Sequence, residues 1–265
     1  MKRSTLPICL LVAVFILMNS CKKSETGPVS LEGKIKTITF GGSNSGPHTT
    51  TSTQESFYDA NGDLSKTVYS FPGTTITETT TYEYLPGKIK IRTTNTGSTD
   101  TNFEEDFLNA SGAIDSLVQG TNTTTMLATM KIIYNEHGEP VEERHYQVTP
   151  TVPQPAPYLV AYYEFLNGNP VKNHFSNQVN VSTVEYATQL NNIKGAAGSD
   201  KLVPSVNLPA ILYNIPVPGA APEIAAIMNY TFDSAGRVLT ETSVFYNYNG
   251  SVPSGQTSTR AFTYY

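Results

Sequence analysis

Tyr58-Asp59-Ala60-Asn61-Gly62-Asp63-Leu64 is the stretch that decides the fold. Its order is a large residue, Asp or Asn, two free positions, Gly, a polar position and an apolar residue. The order returns at Leu108-Asn109-Ala110-Ser111-Gly112-Ala113-Ile114, at Tyr134-Asn135-Glu136-His137-Gly138 and at Phe232-Asp233-Ser234-Ala235-Gly236-Arg237-Val238. Versions one residue shorter stand at Tyr84-Leu85-Pro86-Gly87-Lys88-Ile89 and Phe165-Leu166-Asn167-Gly168-Asn169, and Leu31-Glu32-Gly33-Lys34-Ile35 reads as the first copy. Asp or Asn opens a type I turn by accepting a hydrogen bond from the backbone just ahead. Glycine then takes the left-handed conformation that a following bulge requires. Each copy therefore reads as a hairpin tip. From Gly33 to Gly168 the glycines are spaced by 25 to 30 residues, before a wider gap to Gly236. So steady a period marks a repeat architecture.

Between the tips the chain is rich in Thr and Tyr, as in Thr74-Thr75-Ile76-Thr77-Glu78-Thr79-Thr80-Thr81-Tyr82, which favours extended backbone. Second reversals at Pro72-Gly73 and Thr121-Asn122 give each unit about two strands. The expected fold is mainly β, a single strongly twisted, curled antiparallel meander sheet of about twelve to fourteen strands, more than a flat open sheet tolerates. Residues 173–229 lack two turn glycines. Their apolar runs Asn207 to Asn214 and Ala221 to Met228, with prolines near the starts, read as short helical or irregular pieces packed on the concave face. Ser258 to Tyr265 reads as the last strand, and Ser43 to Thr53 and Pro150 to Pro157 as exposed loops.

The amino end carries Met1-Lys2-Arg3, an apolar run from Leu6 to Met18, and Ser20 ahead of Cys21. These are the parts of a secretory signal of the lipoprotein kind, with Cys21 as the acylated first residue of the mature chain. The thirteen residues of the run fall short of the ~20 a spanning helix needs. Two or more acyl chains hold a protein stably on a bilayer. The expected organisation is signal peptide 1–20, tether 21–29 and repeat domain 30–265. Loss of Lys2 and Arg3 moves the formal charge from −5 to −7, which argues against a nucleic-acid partner. Cys9 leaves with the signal, so no intramolecular disulfide or thiolate metal site remains.

The copies at Tyr58 to Leu64 and Phe232 to Leu239 resemble the YD repeats of the RHS type found in secreted bacterial shell and wall-associated proteins. With the signal, the chain also resembles Bacteroidota-type lipoproteins that carry a divergent YD-like domain. That resemblance implies an outer-membrane location, since Lys22 stands where inner-membrane retention uses Asp, and it carries over no catalytic residue. Asp115-Ser116-Leu117 and Asp233-Ser234-Ala235 resemble the O-glycosylation sequons of such envelopes, making Ser116 and Ser234 candidate acceptors.

Other chemistry is sparse. Asp59 to Asp63 invites a calcium reading, but the turn demands the same residues and the spacing departs from a calcium loop. Glu104-Glu105-Asp106 and Glu142-Glu143 offer carboxylates for glycoside hydrolysis, yet neighbours on a strand point to opposite faces. His48, His137, His145 and His174 lack the tight spacing of a zinc site, and Gly41-Gly42-Ser43-Asn44-Ser45-Gly46 is not a nucleophile elbow. No metal or cofactor is expected. The expected role is a non-enzymatic one, a lipid-anchored envelope protein binding a protein or glycan partner along a Tyr-rich face; the absence of Trp weighs against the glycan. Two alternatives stand beside it. One is a hydrolase whose carboxylates are assembled by the fold, and the other a carrier holding an apolar ligand in the concave face.

Overall fold

The computed structural model describes residues 29–43, 51–122, 127–148, 156–178, 180–191, 205, 207–247 and 253–265. Contacts set Met1–Ser30 apart from a second unit, Leu31–Tyr265. The second unit is all strand: β1 Ile35–Ser43, β2 Ser52–Tyr58, β3 Leu64–Ser70, β4 Thr77–Leu85, β5 Lys88–Asn95, β6 Thr101–Leu108, β7 Ile114–Thr121 and β8 Leu127–Tyr134. It continues through β9 Pro140–Val148, β10 Leu159–Leu166, β11 Asn169–Phe175, β12 Val181–Leu190, β13 Asn207–Ile215, β14 Glu223–Phe232, β15 Val238–Tyr246 and β16 Pro253–Tyr264. Each strand pairs antiparallel with its sequence neighbours, and β1 also pairs with β16, so the sixteen strands close into a barrel.

This overturns the expected open sheet of twelve to fourteen strands with a helical insertion. Among the described residues there is no helix. The region 173–229 supplies β12, β13 and most of β14 instead. In β14 the side chains of Ala226, Met228 and Tyr230 share one face, opposite Phe245, Ser243 and Glu241 of β15. Pairing on both edges outweighs the helical preference of Ala, Glu and Met. Pro209 stands at a register shift facing Tyr186, a position where the ladder tolerates proline. Closure removes the second error. An open sheet leaves two rows of unpaired backbone groups, whereas β1 and β16 satisfy one another from Ile35↔Tyr264 to Ser43↔Thr257.

The Asp/Asn-Gly turns all lie at one rim, where β1 starts and β16 ends. In each five-residue turn the side-chain oxygen accepts two backbone N–H groups. Asp59 Oδ1 takes those of Asn61 (2.8 Å) and Asp63 (2.9 Å), and Asp233 Oδ1 those of Ala235 (2.9 Å) and Arg237 (2.8 Å). Asn109 and Asn135 do the same. Gly33, Gly62, Gly87, Gly112, Gly138, Gly168 and Gly236 all have φ between 69° and 83°. At the two-residue β10–β11 turn Asn167 joins Gly168 at positive φ, as the tightest hairpins require.

Gly33 belongs to a turn made from both chain ends. Gly33 N–H donates to Tyr265 O (3.4 Å) and Tyr265 N–H to Lys34 O (3.0 Å), the pair of bonds that Gly62 and Asp59 make with Asp59 O (3.0 Å) and Asp63 O (2.8 Å). One repeat is thus split, its first half at the carboxyl end and its second half at the amino end.

Tyrosines tie the same rim together. The last residue of an even strand donates its hydroxyl to the carbonyl of the first residue of the strand before it: Tyr58 to Ile35 (2.9 Å), Tyr134 to Ile114 (2.6 Å) and Tyr264 to Val238 (2.7 Å). Tyr186 and Tyr230 reach Pro170 O and Pro209 O in the same way (both 2.8 Å). Inside this rim Ile35, Ile38, Leu208, Val238 and Phe262 form the hydrophobic core, bringing β13 against β1, β15 and β16.

Candidate functional site

Strand side chains alternate between the inside and outside of a closed barrel, and register extends that assignment from strand to strand. One inward row runs Asp106, Leu117, Met130, His145, and the next carries Ile132, Glu143 and Ala161. Asp106 is fully buried, and Ile132, Glu143 and Ala161 are nearly so. Glu78, Glu104 and Glu241 also face inward. Inward-facing Arg260 pairs with Glu241 through Nε at 3.2 Å. Glu143 lies 3.4 Å from His145 Nε2. Burial, and then the charge and hydrogen bond of Glu143, push the Tyr163 hydroxyl well above the usual tyrosine range. The inner wall is therefore predominantly acidic.

A cavity of about 610 Å³ lies at the loop rim, opposite the turns. It is lined by Ile91 and Thr93 from the end of β5, Asn102, Phe103 and Glu104 from the start of β6, and Gln119, Gly120 and Thr121 from the end of β7. Ala128, Gln147 and Tyr158 complete it. Tyr158 N–H is held by His145 O at 3.0 Å, and its ring meets the His145 ring edge-on with centroids 6.4 Å apart. A smaller hollow of about 220 Å³ includes Tyr230, Glu241, Ser243 and Arg260. It is bordered by the Arg260–Glu241 ion pair.

The outer wall is charged at mid-strand. Glu55, Lys90, Arg92, Glu105, Lys131, Arg144, Lys172 and Glu185 all stand at outward register positions. Ion pairs lie along it, Lys88–Glu105 at 3.1 Å and Lys90–Glu83 at 3.8 Å among them. Thr fills many of the positions between.

Cys21 and His48 lie outside the described residues. Ser116 points outward from β7 between Phe107 and Lys131, and Ser234 is exposed in its turn. The Asp59 oxygen is occupied by the turn's own backbone. His137 is exposed beside Glu136 (3.6 Å), and His174 stacks on Tyr162 at 4.9 Å. No metal-ligating cluster occurs among the described residues. Strand alternation separates Glu104 from Glu105 but sets Glu104 and Asp106 on the same inner face. Only Glu104 of that pair reaches the cavity. The cavity's amides, Asn102, Gln119 and Gln147, were missed by sequence reading. Period-two alternation through Thr101–Leu108 groups Asn102 with Glu104 and Asp106, but the rest of the set is assembled from four other strands and Tyr158.

No family model matches the chain, and no curated protein does. Among solved structures the chain is similar to a porin-like protein from Bacteroides uniformis, with a TM-score of 0.64 and 17% identity over 87% of this chain and 98% of that one. A porin-like protein from Bacteroides vulgatus matches over the same shares at 13% identity and a TM-score of 0.36. The first likeness is one of fold. Among the described residues no helix is long and apolar enough to cross a membrane, which says nothing about strands.

Proposed function

We propose that this chain is a lipid-anchored protein of the outer membrane, tethered by acylated Cys21, whose barrel stands in water and binds a partner without transforming it. The charged outer wall carries the reading. A barrel that crosses a bilayer presents an apolar band to lipid, and each Lys or Arg at its midplane costs roughly 2–4 kcal/mol. Lys90, Lys131, Arg144 and Lys172 sit in the middle of their strands. Together they would cost on the order of 8–16 kcal/mol, as much as the whole ~5–15 kcal/mol stability of an ordinary domain. In water Lys90 and Lys172 pair across strands with Glu83 and Glu164, Arg144 pairs with Glu142 along β9, and the charges keep the wall soluble. The signal-like amino end and the likeness to a protein described as porin-like support the envelope location.

A non-enzymatic role is supported by the placement of the carboxylates. Glycoside hydrolysis needs two that both reach the scissile bond, and Asp106 is sealed beneath the wall while Glu104 lines the cavity. A second reading, a barrel inserted in the membrane, is favoured by the two- and five-residue turns at the rim where β1 starts and β16 ends, with connections of five to ten residues opposite, although the sixteen residues between β12 and β13 interrupt that pattern. Fractionation separates the two. Wild type should incorporate labelled palmitate and sediment with outer membranes. Cys21→Ser should lose the label and appear in the soluble fraction without detergent. Retention of Cys21→Ser in membranes after alkaline carbonate would establish insertion and sink the proposal.

A further inference from the structure

We infer that the loop-rim cavity is a saccharide subsite that takes the end of a neutral or amino-substituted oligosaccharide, an inference that rests on the barrel being a binder. Its volume, about 610 Å³, falls within the ~300–1,000 Å³ of small-molecule sites. Three of its side chains, Asn102, Gln119 and Gln147, are amides. An amide both donates and accepts, as does every sugar hydroxyl, so the two match where an apolar ligand would strip polar groups of water without replacing it. Thr93 adds a hydroxyl and Glu104 a carboxylate that accepts from paired hydroxyls or an ammonium. Among the described residues Glu104 is the one charged side chain in the lining. Its negative charge, within an acidic inner wall, repels uronic acids, sulfated sugars and phosphates.

The aromatic surface for a sugar's C–H face is Tyr158. Its side chain is 59% exposed at the cavity mouth, and its backbone is fixed by the His145 carbonyl. A tyrosine thus supplies the stacking surface in a sequence without Trp, whose absence weighed against a glycan. The other polar groups stand on paired strands, which hold their spacing without ligand.

The test applies the acylated full-length protein, in a detergent without sugar groups, to an array of neutral, amino-substituted and uronic-acid oligosaccharides. The best-retained sugar is then titrated by calorimetry. Neutral or amino sugars should be retained and uronic acids rejected. Gln119→Ala and Tyr158→Ala should each weaken binding about tenfold, the loss of one or two hydrogen bonds or of a stacked face. Glu104→Gln should admit uronic acids. Thr259→Ala, on the outer wall, should change nothing. Tyr158 is exposed, so its variant keeps the fold. Failure of the folded protein to retain any sugar, or binding unmoved by Tyr158→Ala, overturns the inference. Neither result touches the palmitate and fractionation readout of the anchored, water-standing barrel.

Discussion

Tyr134 gives its hydroxyl proton to the Ile114 carbonyl at 2.6 Å, and Tyr58 and Tyr264 make the same bond in the β1–β2 and β15–β16 pairs. Burial, foremost, raises the pKa of all three above the ordinary 10.0. Partial desolvation, with the charges of Asp63 and Asp59, pushes Tyr84, on β4 and 44% exposed, up to about 12. A hydroxyl whose folded pKa exceeds its unfolded value contributes stability that is complete below pH 10 and lost as pH climbs through the folded value. Stability measured by urea unfolding should therefore be level from pH 7 to about 9.5 and fall between about pH 10 and 12. Tyr134→Phe should cost ~1 kcal/mol at neutral pH and make that fall shallower. The large residue ahead of each turn was visible in the sequence, as were the Asp or Asn and the glycine, because a turn's chemistry is complete within five residues. The hydroxyl's destination was not, since Ile114 lies twenty residues away on another strand.

At the scale of the element, β13 and β14 show why a local pattern can mislead. Ala221 to Met228 carries a proline at its start and good helix formers after it, and nothing within the segment announces the strands that claim its two edges. Alternation gives a direct check. Ala226 is 3% exposed on the inner face, and Ile227 pairs with Val244 on the outer. Ala226→Asp should cost roughly 3–5 kcal/mol, the toll of an uncompensated buried charge. Ile227→Asp, on the outer wall that the proposal sets in water, should cost under about 1 kcal/mol. Equal losses at the two positions in chemical denaturation would contradict both the register and the aqueous outer wall. The cavity was illegible for the same reason as β14. Asn102, Gln119 and Gln147 are unremarkable in their own segments and become a set only when β6, β7 and β9 are laid side by side.

For the molecule as a whole, closure is a contact between Ile35–Ser43 and Pro253–Tyr264, more than two hundred residues apart in the chain. Loop-closure entropy opposes such a contact only weakly, yet no local signal encodes it, and the sequence reading stopped at a curl. The split turn predicts that the ends can be fused. A permutant in which Tyr265 is bonded directly to Leu31, with new ends between Ala110 and Ser111, should fold to the same barrel and unfold cooperatively. Circular dichroism and size exclusion report on this, and an aggregated permutant would show that the terminal turn is no equivalent of the Asp59 turn. Synthesis runs from the amino end. Until the final dozen residues have emerged, β1 waits with one flank bare, and Phe262 is missing from a core that already holds Ile38 and Leu208. A chain stopped before β16 can form most of its hairpins but never the seal, so the closed shape is itself a report that the last strand has been made.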